Sequence, residues 1–367
     1  MKKKILWLTL ALILIIILLS INFISNTRTN FVNNYSNVSN REKLLDNFNS
    51  ELDFDFNIES DELIDIPIDE PIKMLFFGDL MLDRHVGVKI ERHGLDYLLE
   101  KLIEDDFTSF YDIVSANLEG AVTNDGAHYP PVNLYDFAFS PEIIDELKNY
   151  NFNFFNLANN HLFDQGQKGI KETYQNLSEL GFYYSGCRDA FLSESGDFIE
   201  IYQGEPQAIL SEEDCSEIIL NIKNKKIAFL GFSVVYKNID EARIIERVKK
   251  LKDKSDFVVV NVHFGIEYQS KASASQVNLA RKMVDSGADV IIGHHPHVIQ
   301  NHEVYQGKPI FYSLGNFIFD QYFSPETQEG LAVAITLGVD GDIDSEIYKI
   351  KTKGSRVEEI LSISETP

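Results

Sequence analysis

The sequence predicts an α/β protein whose polar sites gather at the carboxyl ends of its strands. From Ile72 onward, short and continuously apolar runs recur, each ending in a polar cluster, with helix-like stretches between them. Runs of that kind suit strands covered on both faces, and strands alternating with helices suit a largely parallel sheet. A content of 44% hydrophobic and 12% aromatic residues supplies a core and excludes a wholly disordered chain.

Taken in order, Lys2, Lys3 and Lys4 precede an uncharged apolar run from Ile5 to Ile24. At about 1.5 Å per residue, a helix of that length matches the roughly 30 Å hydrocarbon core of a bilayer. We expect one N-terminal transmembrane helix over 5–24, an uncleaved signal anchor, because a cleaved signal has an apolar stretch of only about 7–15 residues and a small-residue exit. Here the exit reads Ile21-Asn22-Phe23-Ile24; a cleaved signal is the alternative. The lysines keep residues 1–4 cytoplasmic and send the remainder outside, as a single-pass cell-membrane protein with an extracellular C-terminal domain. Residues 25–71 are Asn/Ser-rich and then acidic, which reads as a solvated stalk. The alternation of Leu52, Phe54 and Phe56 leaves open an edge strand or a partner-docking segment.

A domain is expected over 72–350, followed by a tail over 351–367. Strands are expected from Ile72 to Phe77, Ile113 to Ala116, Phe152 to Ala158, Phe257 to Val262 and Val290 to Ile292. Helices are expected from Glu142 to Tyr150, opened by Ser140-Pro141, from Gly169 to Leu180, from Asp240 to Leu251 and from Ser273 to Asp285. Gly181 and Gly287 stand where helices stop. Lys308 to Tyr312, Leu331 to Val339 and Glu346 to Ile350 look like strands of a second sheet, joined by turns such as Asp340-Gly341-Asp342. There is no internal repeat.

With 33 Lys+Arg against 57 Asp+Glu, the formal net charge is −24. A phosphate-backbone binder needs a basic field, so nucleic acid is excluded as a simple partner. Two cysteines, Cys187 and Cys215, allow at most one disulfide and no cysteine metal cluster. They suit a loop-closing disulfide outside the cell, with two reduced thiols as the alternative. Any metal must therefore be held by His, Asp, Glu and Asn. Four of the nine histidines lie within 293–302, directly after an apolar run. On an extended segment His295 and His297 present two imidazoles on one side. Together with the oxygens of Asp79, Glu119 and Asn160, and with His263 at another strand end, they suit a divalent Mn, Zn or Fe, one ion or two.

These residues sit in an ordered set of motifs: Gly78-Asp79-Leu-Met81-Leu82, Ala116-Asn117-Leu-Glu119-Gly120, Leu157-Ala-Asn159-Asn160-His161 with Asp164 and Gly166, and His263-Phe-Gly265-Ile-Glu267-Tyr268. Gly293-His294-His295-Pro296-His297 and Tyr312-Ser-Leu-Gly315-Asn316-Phe-Ile-Phe319-Asp320 complete it. Over roughly 72–336 the chain resembles the capsule synthesis protein CapA family, the poly-γ-glutamate biosynthesis component, itself similar to calcineurin-like metallophosphatases. The resemblance implies a metallophosphatase-like sandwich of two mixed β-sheets flanked by helices, an α/β/β/α arrangement, with a metal centre at the strand ends. It implies that Asp79, Glu119, Asn160, His263, His295 and His297 are metal ligands, Glu119 bridging two ions, and that His161 is a proton donor. Two departures stand out. Metallophosphatases carry a histidine where this chain has Met81, and usually an aspartate where it has Glu119, so one metal site is short of a ligand.

Such a centre polarises a phosphoryl group and lowers the pKa of bound water, while a neighbouring imidazolium protonates the leaving oxygen. Asp164 either orients the His161 ring or caps the helix near Gly166. Arg84 can bind an anionic substrate group with its planar fork, or form a surface ion pair. Asn316 can reach substrate, or serve a tight turn at Gly315. Glu267 and Tyr268 either face the site or begin a helix. The function implied is capsule or poly-γ-glutamate biosynthesis or export at the membrane, beside other polymer-synthesis membrane proteins, acting on an anionic polymer or phosphoester. The alternatives are a non-catalytic accessory subunit and a secreted phosphodiesterase or nucleotidase unrelated to capsule.

Overall fold

A computed structural model describes residues 70–186, 200–201, 217–235 and 241–363. The chain divides into Met1–Pro67 and Ile68–Pro367, and all described residues belong to the second unit. The expected span at 5–24, the stalk up to residue 69, and Cys187 and Cys215 lie outside the described residues. Among those described, no helix is long and apolar enough to cross a membrane.

The elements are β1 (Ile72–Leu80), α1 (Arg84–His93), α2 (Asp96–Glu104), β2 (Ile113–Leu118), β3 (Ala121–Val122), β4 (Ala138–Phe139), α3 (Pro141–Glu146), β5 (Phe154–Asn156), α4 (Gly166–Glu179), β6 (Tyr183–Ser185) and β7 (Glu200–Ile201). Then follow β8 (Glu217–Ile222), β9 (Lys225–Ser233), α5 (Glu241–Lys252), β10 (Phe257–His263), α6 (Ala274–Asp285), β11 (Val290–His294), β12 (His302–Tyr305), β13 (Lys308–Phe311), β14 (Asn316–Ile318), β15 (Glu329–Leu337), β16 (Ile343–Lys353) and β17 (Arg356–Ile363).

Two sheets result. The first runs β17-β16-β15-β1-β2-β5-β6, with β14 also pairing β1; the second runs β12-β13-β11-β10-β9-β8-β7. Both are mixed. β1, β2, β5 and β6 are mutually parallel, as are β9, β10, β11 and β13, while β15 joins β1 antiparallel. The strand period of two assigns the faces. Ile72, Met74 and Phe76 of β1, and Leu331, Val333 and Ile335 of β15, pack with Phe229, Val259 and Ile292 of the second sheet. Leu75 and Phe77 point the other way, under Val86, Leu98, Leu102 and Leu177 of the helices. On the far side, Val258, Val260 and Leu230 pack against Ile244, Val248, Leu279 and Met283. The layers are therefore helix, sheet, sheet, helix.

Local signals explain the helix ends. Ser140 accepts from the Ile143 N–H ahead of Pro141, and Ser273 and Gln276 form a reciprocal capping box on α6. Two expectations are corrected. The strands near 331 and 346 do not make up the second sheet; they extend the first, where β15 pairs antiparallel with β1 and β16 with β15. The tail is not featureless either, since β17 is an edge strand paired with β16.

The segment Tyr312–Gly315 ties the two sheets together. Asp79 N donates to Gly315 O at 2.9 Å, and Leu314 N donates to Gly293 O at 3.0 Å. This close approach requires glycine, since a Cβ at Gly78 would overlap Gly315 O and one at Gly293 would overlap Tyr312 O. Gly293→Ala is expected to destabilise the protein by about 3 kcal/mol or more, the upper range for overpacking because backbone is displaced. A lowered denaturation midpoint with unchanged m-value would show it.

Candidate metal centre

Strand register builds the site. In the first sheet, Asp79 pairs in register with both Asn117 and Asn316. In the second, His263 pairs with Ser233 and His294. Register partners on neighbouring strands face the same way, so each sheet presents a polar row at its carboxyl edge. Loops leaving those edges add Glu119, Asn160, His161, His295 and His297.

Asn117 joins the rows. Its Nδ2 donates to Asp79 Oδ1 at 2.8 Å and to Glu119 Oε1 at 3.1 Å, and lies 3.4 Å from His263 Nδ1. Asn156 Nδ2 donates to Asn117 Oδ1 at 2.8 Å and fixes the amide from behind. On the opposite side, His263 Nε2 is 2.7 Å from Asn160 Oδ1 and 3.9 Å from Glu119 Oε1. The His263 and His295 ring centroids stand 4.8 Å apart, and those of His295 and His297 6.0 Å. His297 Nδ1 is 2.9 Å from Asn316 Oδ1 and 3.3 Å from Asp79 Oδ2, so that ring nitrogen is engaged within the protein.

The donor atoms of Asp79, Glu119 and His297 lie within 4.8 Å of one another, as do those of Glu267, His295 and His297. Glu119 Oε2 and His295 Nδ1 are buried with no hydrogen-bond partner. Buried polar atoms are almost always satisfied. Orphaned donors converging among carboxylate, amide and imidazole groups fit a divalent cation.

The family model for bacterial capsule synthesis protein PGA_cap matches residues 73–321. The chain belongs to this family. It is 33% identical over 273 residues to capsule biosynthesis protein CapA of Bacillus anthracis, an alignment covering 69% of this chain and 61% of that one. It is 35% identical over 260 residues to PGA biosynthesis protein CapA of Bacillus subtilis, covering 69% and 64%. The match thus spans less than two thirds of either relative. A crystal structure described as a novel phosphatase from Mycoplasma pneumoniae aligns with 77% of this chain and 95% of that one, at 14% identity and a TM-score of 0.46.

Electrostatics in this PGA_cap protein follow from burial. Burial alone pushes the Asp79 carboxyl up, but the His294 and His297 side chains hold it well below the usual range. Burial and then the charge of Asp79 push Glu119 well above its ordinary value. For His263, burial and the neighbouring His295 lower the pKa. In His295, burial and His297 bring it down to about 4. Burial pulls His297 down as well, yet Asp79 outweighs it and the net shift is upward. Glu119 and His297 are thus both shifted towards their protonated forms by the charge of Asp79.

Beside the donors, a cavity of about 490 Å3 is lined by Arg84, Asn160, His161, Glu267, Tyr268 and His297 among others. His161 Nδ1 is 2.8 Å from Asp164 Oδ2, which also accepts from Phe137 N at 3.0 Å. Asp164 therefore orients the ring; the helix N-cap is Gln165, which makes no capping bond through its side chain. Arg84 stacks 4.8 Å over Phe137 and pairs with Asp320. Asn316 is buried, and its Nδ2 donates to Gln321 Oε1 and Thr327 O. Its amide is engaged within the protein, positioning His297. No helix begins at Glu267; Tyr268 has φ 64° and α6 starts six residues later. Met81 is fully buried in the helix-side core, its sulfur accepting from Asp83 N at 3.1 Å.

One premise of the sequence reading is corrected. The His295-Pro296-His297 segment is not extended: β11 ends at His294, and His295 and His297 have φ of 100° and 56°. Strand alternation does not align these rings; a strained turn does. Asn117 and His294 carried no separate role in the sequence, though both lie within motifs. Their position directly at a strand end, beside a recognised donor, was the available signal.

The depressed His295 pKa predicts a pH dependence of the metal-free protein. The folded state resists a proton that the unfolded chain accepts, so this contribution is present above pH 6.5 and is lost as pH falls towards about 4. Thermal melts of chelator-treated protein should decline through that window, and His295→Gln should flatten the decline.

Proposed function

We propose that the chain is a metal-dependent hydrolase of the phosphoesterase type that serves capsule or poly-γ-glutamate biosynthesis or export on the outer face of the cell membrane. The observation that carries the reading is the convergence of Asp79, Glu119, Asn160, His263, His295 and His297 with unpartnered donor atoms among them. A bound divalent Mn, Zn or Fe, one ion or two, would polarise a phosphoryl oxygen and make water a nucleophile at neutral pH.

The chain's own residues supply the remainder. Asp164 fixes His161 with Nδ1 engaged, so Nε2 is the atom that holds and delivers a proton to a leaving oxygen. Asn316 holds His297, and Asn117 holds both carboxylates, so the donors are positioned before any substrate arrives. Arg84, kept in place by Asp320 and Phe137, faces an anionic group at the cavity rim. The apolar run 5–24 anchors the chain, leaving the catalytic domain outside beside other polymer-synthesis membrane proteins. An anionic polymer or phosphoester is its substrate, and nucleic acid is not a partner.

A second reading, a non-catalytic accessory subunit, is favoured by Met81, which occupies the core where metallophosphatases carry a ligand. The two readings separate in one experiment. A strain lacking the gene is complemented with wild type, His297→Ala, Asn160→Ala or His161→Asn, and polymer yield and folded protein are measured together. Loss of polymer by at least about 100-fold, with folded protein present, is the catalytic outcome, in line with the 10²–10⁴-fold contribution of general acids. Full polymer from a metal-free, folded variant would establish the accessory role. Phosphoester turnover by purified full-length chain with added Mn2+ or Zn2+ reports the reaction class.

A further inference from the structure

The geometry points to His294 as an additional ligand of the metal centre, bound to the same cation as Asp79. This rests on the metal-centre reading above and names a residue outside that ligand set.

The first observation is burial without a hydrogen bond of ordinary geometry. His294 is 1% exposed, and neither ring nitrogen makes a hydrogen bond. Leaving a buried polar group unsatisfied costs about 1–3 kcal/mol, and a neutral imidazole carries one donor and one acceptor. The second is spacing. His294 Nδ1 stands 3.4 Å from Asp79 Oδ1, beyond the usual 2.7–3.2 Å of an N–H···O bond. Two ligand atoms each about 2.1 Å from one cation, at a tetrahedral angle, stand about 3.4 Å apart. The distance is long for a proton and fits a cation.

Register supplies the third observation. His294 is the Cα partner of His263 across β10 and β11, so both rings project from the same face. In an extended chain the next residue, His295, would point away. Its φ of 100° turns the chain instead, and His295 and His297 close on the centre that His294 already faces. The strained turn thereby lets adjacent residues of one segment serve one site, which a regular strand forbids.

The test uses the full chain in detergent, stripped with a chelator, and Zn2+ alone as probe in equilibrium dialysis. His294→Ala should weaken one Zn2+ site by at least about 10-fold, the lower end of what losing a ligand's hydrogen-bond partner costs. His294→Gln, which keeps the polar end but lacks the imidazole, should fail to restore it. Wild-type Zn2+ affinity in folded His294→Ala overturns the assignment, and so does full rescue by His294→Gln. Should neither variant fold, anomalous scattering from Zn2+-loaded wild-type crystals decides: an ion bonded to His294 supports the assignment, and an ion bound only by other residues overturns it. A wild-type chain that binds no Zn2+ at all overturns the metal-centre reading and this inference with it. Zn2+ bound normally without His294 overturns this inference alone.

Discussion

Two fully buried carboxylates share one amide, and the rest of the site is organised around that fact. Asp79 and Glu119 both accept from Asn117 Nδ2, with no exposure to solvent. Like charges this close cannot both persist in a water-excluded site without a proton or a cation between them. The surrounding imidazoles answer that demand on one side and the amide on the other. Asn117 offers its amide hydrogens to the carboxylates while Asn156, with Asn159 behind it at 3.4 Å, holds its oxygen. Replacing Asn117 would remove the hydrogen bonds to both carboxylates, and replacing Asn156 would release the amide that makes them.

Rigidity comes from where these groups are attached. Asp79, Asn117, His263 and His294 lie on strands whose neighbours are hydrogen-bonded in register, and the Tyr312–Gly315 segment pins one sheet edge to the other. Side chains on sheet edges are held more closely than side chains on loops. Aromatic rings fix the loop-borne members: Phe137 lies 4.2 Å from the His161 ring and Phe319 4.8 Å from that of His297. Folding the core and assembling the site are therefore one process, because Gly78 and Gly293 serve both.

The legible part of the fold was its doubly covered strands. β1, β2, β10 and β11 were visible because a strand buried on both faces reads as an unbroken apolar run, and its polar terminus marks the sheet edge. Sheet membership was not legible: β15 carries the same kind of run, yet its place beside β1 is decided by how alternate side chains pack between sheets. β17 escaped because an edge strand keeps charges, and Glu358 and Glu359 disguise it as a tail. At the site, the donors followed from residue type and motif. Their mutual geometry did not, since the positive φ at His295 and His297 is only weakly signalled by residue type, histidine being enriched there but still uncommon.

Charge sets what such a site attracts. The chain carries −24 overall, and four carboxylates, Asp79, Glu119, Glu267 and Asp320, stand at the donors or on the cavity beside them. Arg84 is the cation on that rim, and Asp320 already answers it. With one divalent ion, the four carboxylates still outweigh the ion and Arg84 together. Carboxylates gathered this densely in a low-dielectric pocket attract cations and repel anions. Glu119, whose Oε1 accepts from Asn117 Nδ2 and stands 3.9 Å from His263 Nε2, carries that negative charge from the edge of the first sheet to the histidine of the second.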